Sequence, residues 1–429
     1  MRLLLLSTTT GYQLRSFNDA AERAGVEILF ATDRCRSLDD PWQDRAVAVR
    51  FHDEAASLQA LVREAQVRPI DGIIAVGDRP VVLAARAAAA LGLPGNPPDT
   101  AAASANKLET RRRLAAAGMR VPWFRRVRLA EATDADTRAG PFPCVVKPLG
   151  LSGSRGVIRA DSPAQLAQAV ARLRRLLTRP EVRIIRTGLE DEILIEGFIE
   201  GREFAVEGVL TAGQLQALAI FDKPDPLDGP FFEETIYVTP SALPAEVQGA
   251  VAAEVQRATT ALGLRHGPVH AECRVGPDGI VVLEVAARPI GGLCSRVLRF
   301  TPGSVSLEEV LVQHALGGDS SVYRREACAS GVMMVPIPKR GIFRRVDGEA
   351  DARAVELVED IRITARPDQL LEPLPEGASY LGFIFARGPK PAAVVAALRE
   401  AHGRLRFLID PAIDLAAASS PGAPGQAES

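Results

Sequence analysis

Two glutamates set in apolar strands on either side of one tight turn constrain this chain more than any other feature. Val269-His270-Ala271-Glu272-Cys273-Arg274-Val275 and Ile280-Val281-Val282-Leu283-Glu284-Val285 flank the turn Gly276-Pro277-Asp278-Gly279. The β-branched runs and the glycine-containing turn predict a hairpin. With Asp278 at the middle of a three-residue loop, Glu272 and Glu284 fall opposite each other on one face, with Cα atoms roughly 4.5–5.5 Å apart. His270, Arg274 and Ala286 are expected on the same face. Like charges placed so disfavour the fold unless something positive lies between them. Mg²⁺ fits, because it takes carboxylate oxygens together with substrate phosphates. The alternative is an exposed hairpin whose glutamates are screened by water.

Three further segments add to this one. Val145-Val146-Lys147-Pro148 precedes Gly150-Leu151-Ser152-Gly153-Ser154-Arg155-Gly156. A lysine at a strand end beside such a loop can contact phosphate oxygens, and the loop's backbone N–H groups can cradle more of them. No Gly-Lys-Ser/Thr follows, so this is not a Walker A loop. Leu194-Ile195-Glu196-Gly197-Phe198-Ile199-Glu200-Gly201-Arg202-Glu203-Phe204 sets acids within an apolar strand pair, which is costly unless they bind something. The other reading is an amphipathic hairpin with its acids in water. Last, Ala287-Arg288-Pro289-Ile290-Gly291-Gly292 puts an arginine where it can stabilise charge on a transferring phosphoryl group. The two glycines let the backbone approach a substrate carboxylate.

Along the chain, short apolar runs (Leu3–Leu6, Val26–Ala31, Gly72–Val76) alternate with helical stretches up to residue 96, predicting a doubly wound α/β domain. Gly77-Asp78-Arg79 follows the third run, at the strand end where such sheets bind ligands. Residues 97–328 form a second domain, with one helix expected from Thr100 to Ala117 and a loop over Phe221–Pro240. Residues 329–412 read as a small α+β domain, and 413–429 as a disordered tail rich in Ala, Ser, Pro and Gly.

The 429 residues are 47% hydrophobic, which is enough for large cores. With 51 basic and 53 acidic side chains the net charge is −2. No charge block points to nucleic acid or a membrane surface, so a small-molecule partner is expected. The apolar run at Leu3–Leu6 is too short for a signal peptide, which needs roughly 7–15 such residues. Five scattered cysteines without a Cys-x-x-Cys pair fit reduced thiols in a cytoplasmic protein.

With its motifs in this order, the chain resembles the ATP-grasp superfamily over roughly residues 1–410. The resemblance implies a two-lobed ATP-grasp domain between the N-terminal and C-terminal domains. It also implies an ADP-forming ligase that uses ATP with Mg²⁺ (or Mn²⁺) to join a carboxylate to an amine through an acyl phosphate. Lys107 and Lys147 match the two phosphate lysines. Ser152, Gly153, Ser154 and Gly156 match the flexible phosphate loop. Glu196, with Gly197 and Ile199, matches the adenine hinge, and Glu203 takes the ribose position. Glu272 and Glu284 match the metal carboxylates, and Arg288 the arginine that steadies the acyl phosphate. Ala286 departs from the asparagine the family often carries after the second metal strand.

The phrase from Glu284 to Gly292 looks most like the L-amino acid ligases. That likeness implies Lys223 over the γ-phosphate, with Glu234, His270, Gly291 and Gly292 at the substrates. Ile236-Tyr237 stands where those ligases often carry Gly-His. A carboxylase or purine-pathway ligase on the same scaffold, and an ATP-binding module without turnover, are the alternatives. A homodimer through the N-terminal or central domain is compatible with the sequence.

Overall fold

The computed structural model describes residues 1–8, 13–33, 46–133 and 140–412. The expected tail 413–429 and Cys35 lie outside them. The first sheet is parallel, in the order Val47–Ala48, Glu27–Thr32, Arg2–Ser7, Gly72–Val76. Its central strand shows why it reads as an unbroken apolar run. Leu4 and Leu6 enter one core cluster with Leu29, Ala31 and Ala75, while Leu3 and Leu5 enter another with Ile74 and Val76. Both faces are covered, as a parallel strand requires.

Two antiparallel sheets follow. A four-stranded lobe is ordered Phe124–Arg128, Glu192–Gly197, Cys144–Pro148, Ile158–Ala160. Helix Pro163–Leu177 covers it, with Ser162 accepting from the Gln165 N–H as its cap. The larger sheet has eight strands, in the order Gly279–Ala286, Gly267–Gly276, Arg202–Thr211, Gln214–Asp222, Ile236–Thr239, Ala329–Val335, Gly382–Gly388, Val358–Ile363. A three-stranded sheet (Leu370–Leu371, Gly341–Asp347, Arg406–Asp410) lies beyond it.

Three expectations change in detail. The helix over Thr100–Ala117 is two helices, Pro98–Ser104 and Lys107–Ala116. Asn106 separates them because its side chain accepts from Leu108 N and Glu109 N and starts a new helix. The Phe221–Pro240 segment ends in a strand, Ile236–Thr239, whose four residues are all buried. The hairpin loop has two residues, Pro277 and Asp278, because Gly276 pairs with Gly279.

We propose the division of the chain at 96/97 and 328/329. The second boundary is crossed by the eight-stranded sheet, since Ile236–Thr239 pairs directly with Ala329–Val335.

Candidate active site

The hairpin forms the floor of a cleft between the four-stranded lobe and the eight-stranded sheet. Near the turn its register runs Cys273 to Val282, and past a bulge at Leu283 it runs Glu272 to Glu284. The two glutamates are therefore opposite, as the sequence implied, but through a two-residue turn plus one bulged residue. Arg111, on helix Lys107–Ala116 and only 2% exposed, donates to Leu283 O at 2.8 Å and holds the bulge. The same guanidinium grips Glu196 Oε2 at 2.8 Å and Oε1 at 3.2 Å, and Glu196 in turn is paired with Lys147. Burial works against the Glu196 charge, but these two cations overcome it and bring its pKa down to about 2. Arg111 was missed at the sequence level. Its one signal was an arginine four residues after Lys107, on the same helix face.

Lys223 occupies the centre of a carboxylate cluster. Its ammonium, 3% exposed, donates to Glu203 Oε1 at 2.8 Å, Glu272 Oε1 at 2.9 Å and Glu234 Oε1. Glu203, Glu234 and Glu272 each bring an oxygen within 4.8 Å of the other two. Burial alone would lower the Lys223 pKa, yet three carboxylates raise it well above the usual value. Desolvation pushes Glu234 up to about 7, while Lys223 and His270 hold Glu272 well below the carboxylate range against the same burial. Tyr237 joins the group, with its ring 4.9 Å from Lys223 Nζ and its hydroxyl 3.4 Å from Glu272 Oε1. The position that departs from Gly-His thus carries a tyrosine facing the same acids.

A second chain of contacts positions the segment after the hairpin. Glu207 is fully buried, lies 3.0 Å from His270 Nδ1 and accepts from Ile290 N at 3.1 Å. Gln13, from the N-terminal region, donates to Ile290 O. Burial opposes a charge on His270, but Glu207 and Glu272 lift its pKa to about 9. Arg288 donates to Asp78, with Nε to Oδ1 at 2.7 Å and Nη2 to Oδ2 at 3.3 Å. Asp78 sits just beyond strand Gly72–Val76, so the carboxyl end of the parallel sheet does face the site. Glu207 is a neighbour that sequence reasoning did not bring to the site, and Asp78, read there at a ligand-binding strand end, was not paired with Arg288. Both partnerships span long sequence distances that no local period encodes.

The cleft is lined by Lys107, Lys147, Ser152, Gly153, Ser154, Glu196, Gly197, Ile199, Glu203, Glu234, His270, Glu272, Glu284, Arg288, Gly291 and Gly292. Two expected site residues lie just outside that lining. Lys223 is buried behind its three glutamates, and Gly156 faces away, where a Cβ would come within 2.6 Å of Pro148. Lys107 Nζ donates to Leu151 O at 2.6 Å, tying its helix to the glycine-rich loop. Among the described residues the Glu284 carboxylate has no hydrogen bond or ion pair. A half-buried, unpaired carboxylate opposite a second one is a donor set that suits a hard divalent cation.

Three family models match along the chain: an ATP-grasp N-terminal domain over 18–95, an ATP-grasp domain over 140–297 and an L-amino acid ligase C-terminal domain over 333–410. The structure is similar to that of L-amino acid ligase from Bacillus licheniformis, with TM-score 0.77 and 27% identity over 95% of this chain and 98% of that one. Biotin carboxylase from Campylobacter jejuni shares the fold at TM-score 0.63 and 14% identity, covering 95% of this chain and 92% of that one. Carnosine synthase 1 of Gallus gallus is 30% identical over 255 residues, or 58% of this chain and 27% of that protein. Matched stretches span from 27% to 65% of the curated relatives' own lengths. No helix among the described residues is long and apolar enough to cross a membrane. The order of these domains, the shared fold and the cleft they enclose make the chain an ATP-grasp protein of the L-amino acid ligase-like kind.

Proposed function

We propose that this chain joins two amino acids, or an amino acid and a closely related acid, at the expense of ATP. The observation that carries the reading is one cleft with side chains and a loop suited to phosphates at one end and an apolar pocket at the other. Lys107, Lys147 and the loop Ser152–Gly153–Ser154 line the first end, with Gly197, Ile199 and Glu203 for the nucleoside. The second end runs from Arg288, Gly291 and Gly292 to Cys294, Met334, Tyr380 and Phe383. Its walls are apolar and aromatic, so an amino acid with an apolar side chain fits there.

In the reaction we infer, a substrate carboxylate oxygen attacks the γ-phosphorus of ATP. The bond from that phosphorus to the bridging oxygen breaks, and ADP leaves. Arg288, oriented by Asp78, stabilises the charge on the phosphoryl oxygens, and Lys147 and Lys107 hold the remaining phosphates. The amine of the second substrate, held by Glu234, then attacks the acyl carbon. Phosphate departs and the amine loses a proton as the amide forms. Glu272 and Glu284 would hold Mg²⁺, which supplies charge neutralisation on the phosphates. Positioning carries most of the catalysis, because little covalent chemistry falls to the protein.

ADP and phosphate release with Mg-ATP, measured across a panel of amino acid pairs with bicarbonate as a separate arm, tests the reading. Pair-dependent release together with a dipeptide mass is expected. Release that needs bicarbonate alone would replace it with the carboxylase alternative.

A further inference from the structure

The loop 372–380 of the C-terminal region touches both the four-stranded lobe and the lining of the cleft. Its first half meets the four-stranded lobe. Glu376 takes a two-point ion pair from Arg172 (Nε to Oε1 2.5 Å, Nη2 to Oε2 2.8 Å), and its carbonyl accepts from Arg155 Nε at 2.8 Å. Pro375 O accepts from Gly156 N at 2.9 Å, so the backbone of the glycine-rich loop itself is bound. Glu372 accepts from Arg179 at 2.6 Å. Its second half, Ala378, Ser379 and Tyr380, lines the apolar end of the cleft, with the Tyr380 ring 6.1 Å from that of Phe383.

The turn between the halves is tight. A Cβ on Gly377 would fall 1.8 Å from Glu372 O, so the two halves are held against each other. Arg155, Arg172 and Arg179 all belong to the four-stranded lobe or the segments leaving it, whereas Glu372 and Glu376 belong to the C-terminal region. These are therefore contacts across the mouth of the cleft. The bidentate pairing gives them geometry as well as charge.

We propose that Glu372 and Glu376 are positioning residues: they fix the glycine-rich loop over the phosphates, and through Gly377 they tie that closure to the substrate wall at Tyr380. The idea rests on the ATP site and on the ligase reading only for the identity of what meets Tyr380. Closure over the phosphates then keeps water from the acyl phosphate.

Binding of a non-hydrolysable ATP analogue and of AMP, each with Mg²⁺, to wild type, Glu372→Ala/Glu376→Ala and the swap Arg172→Glu/Glu376→Arg tests this without knowledge of the acid or amine. The double alanine variant is expected to weaken the triphosphate analogue about tenfold while AMP binding stays unchanged. Amide hydrogen exchange over 150–157 in the analogue complex should rise in that variant and return toward the wild-type value in the swap. Equal loss of analogue and AMP would mean a general structural role and overturn the proposal. Unchanged analogue binding with unchanged exchange would do the same. A wild-type protein that binds the analogue but makes no amide would sink the ligase reading alone and leave this result intact.

Discussion

At the scale of single residues, Arg288 is held by a carboxylate from another part of the chain. Burial disfavours its charge, and Asp78 more than restores it, raising its pKa above the usual arginine value. On the proposed chemistry the arginine must point at the phosphoryl group, and Asp78 decides where it points. Asp78→Asn is expected to slow turnover about tenfold with little change in nucleotide binding, whereas Arg288→Ala slows it roughly a hundredfold or more. Steady-state rates beside a nucleotide titration check both; a parallel loss of binding would make Arg288 an anchor only. Glu196 gives a pH signature. Its folded pKa of about 2 lies below the ordinary glutamate value of 4.5, so its stabilisation is complete above about pH 4.5 and is lost as the pH falls through 2. The slope between those limits is roughly 1.4 kcal/mol per pH unit. Glu196→Gln should unfold at lower urea at pH 7, by about 3 kcal/mol, because Arg111 and Lys147 lose their counter-charge. Its stability should then depend less on pH below 4.5. Identical acid profiles for the two proteins would refute the assignment.

Among the elements, the hairpin shows what periodicity can and cannot reveal. The pairing of Glu272 with Glu284 was legible because the two glutamates stand at equal distances from Asp278 in the turn, which fixes them opposite each other. How that register arises was not legible. An extra residue placed in the turn or bulged within the strand leaves the same pairing beyond it, and the difference is set by Arg111 reaching Leu283 O from another helix. The Thr100–Ala117 break has a similar origin. The helical pattern continues through it, and only the Asn106 cap separates Lys107 into the first turn of its own helix. The strand Ile236–Thr239 was hidden among prolines and charges, and its partner lies nearly a hundred residues further on. Glu284→Ala tests the element's chemistry: nucleotide turnover should vanish while the melting temperature stays within a few degrees, since a partly exposed, unpaired carboxylate contributes little to the fold. Full turnover in that variant would remove the metal-site proposal.

For the whole molecule, the three regions do not behave as beads. One core cluster gathers Leu3 and Phe17 from the first, Val209 and Phe300 from the second, and Val332 and Phe383 from the third. Cutting at 328/329 would strip three strands from the large sheet and leave Ile236–Thr239 as an apolar edge. Residues 97–328 alone are therefore expected to give no cooperative unfolding transition, while the full chain shows one dominant transition by calorimetry. Two well-separated transitions would count against a shared core. Domain order and most strands were readable in advance; contacts such as Gln13 to Ile290 were not, because they join segments far apart in the chain.

The eight-stranded sheet has a mechanical consequence. Hairpin, carboxylate cluster and C-terminal wall sit on a single plate of paired strands, which bends far less readily than the short connections running from it to the four-stranded lobe. The softest motion is then one rotation of that lobe against a rigid anvil. If product leaves only when the lobe lifts, the tempo of the cycle is set at those connections, and variants there would alter the residence time of product without touching any group that binds it.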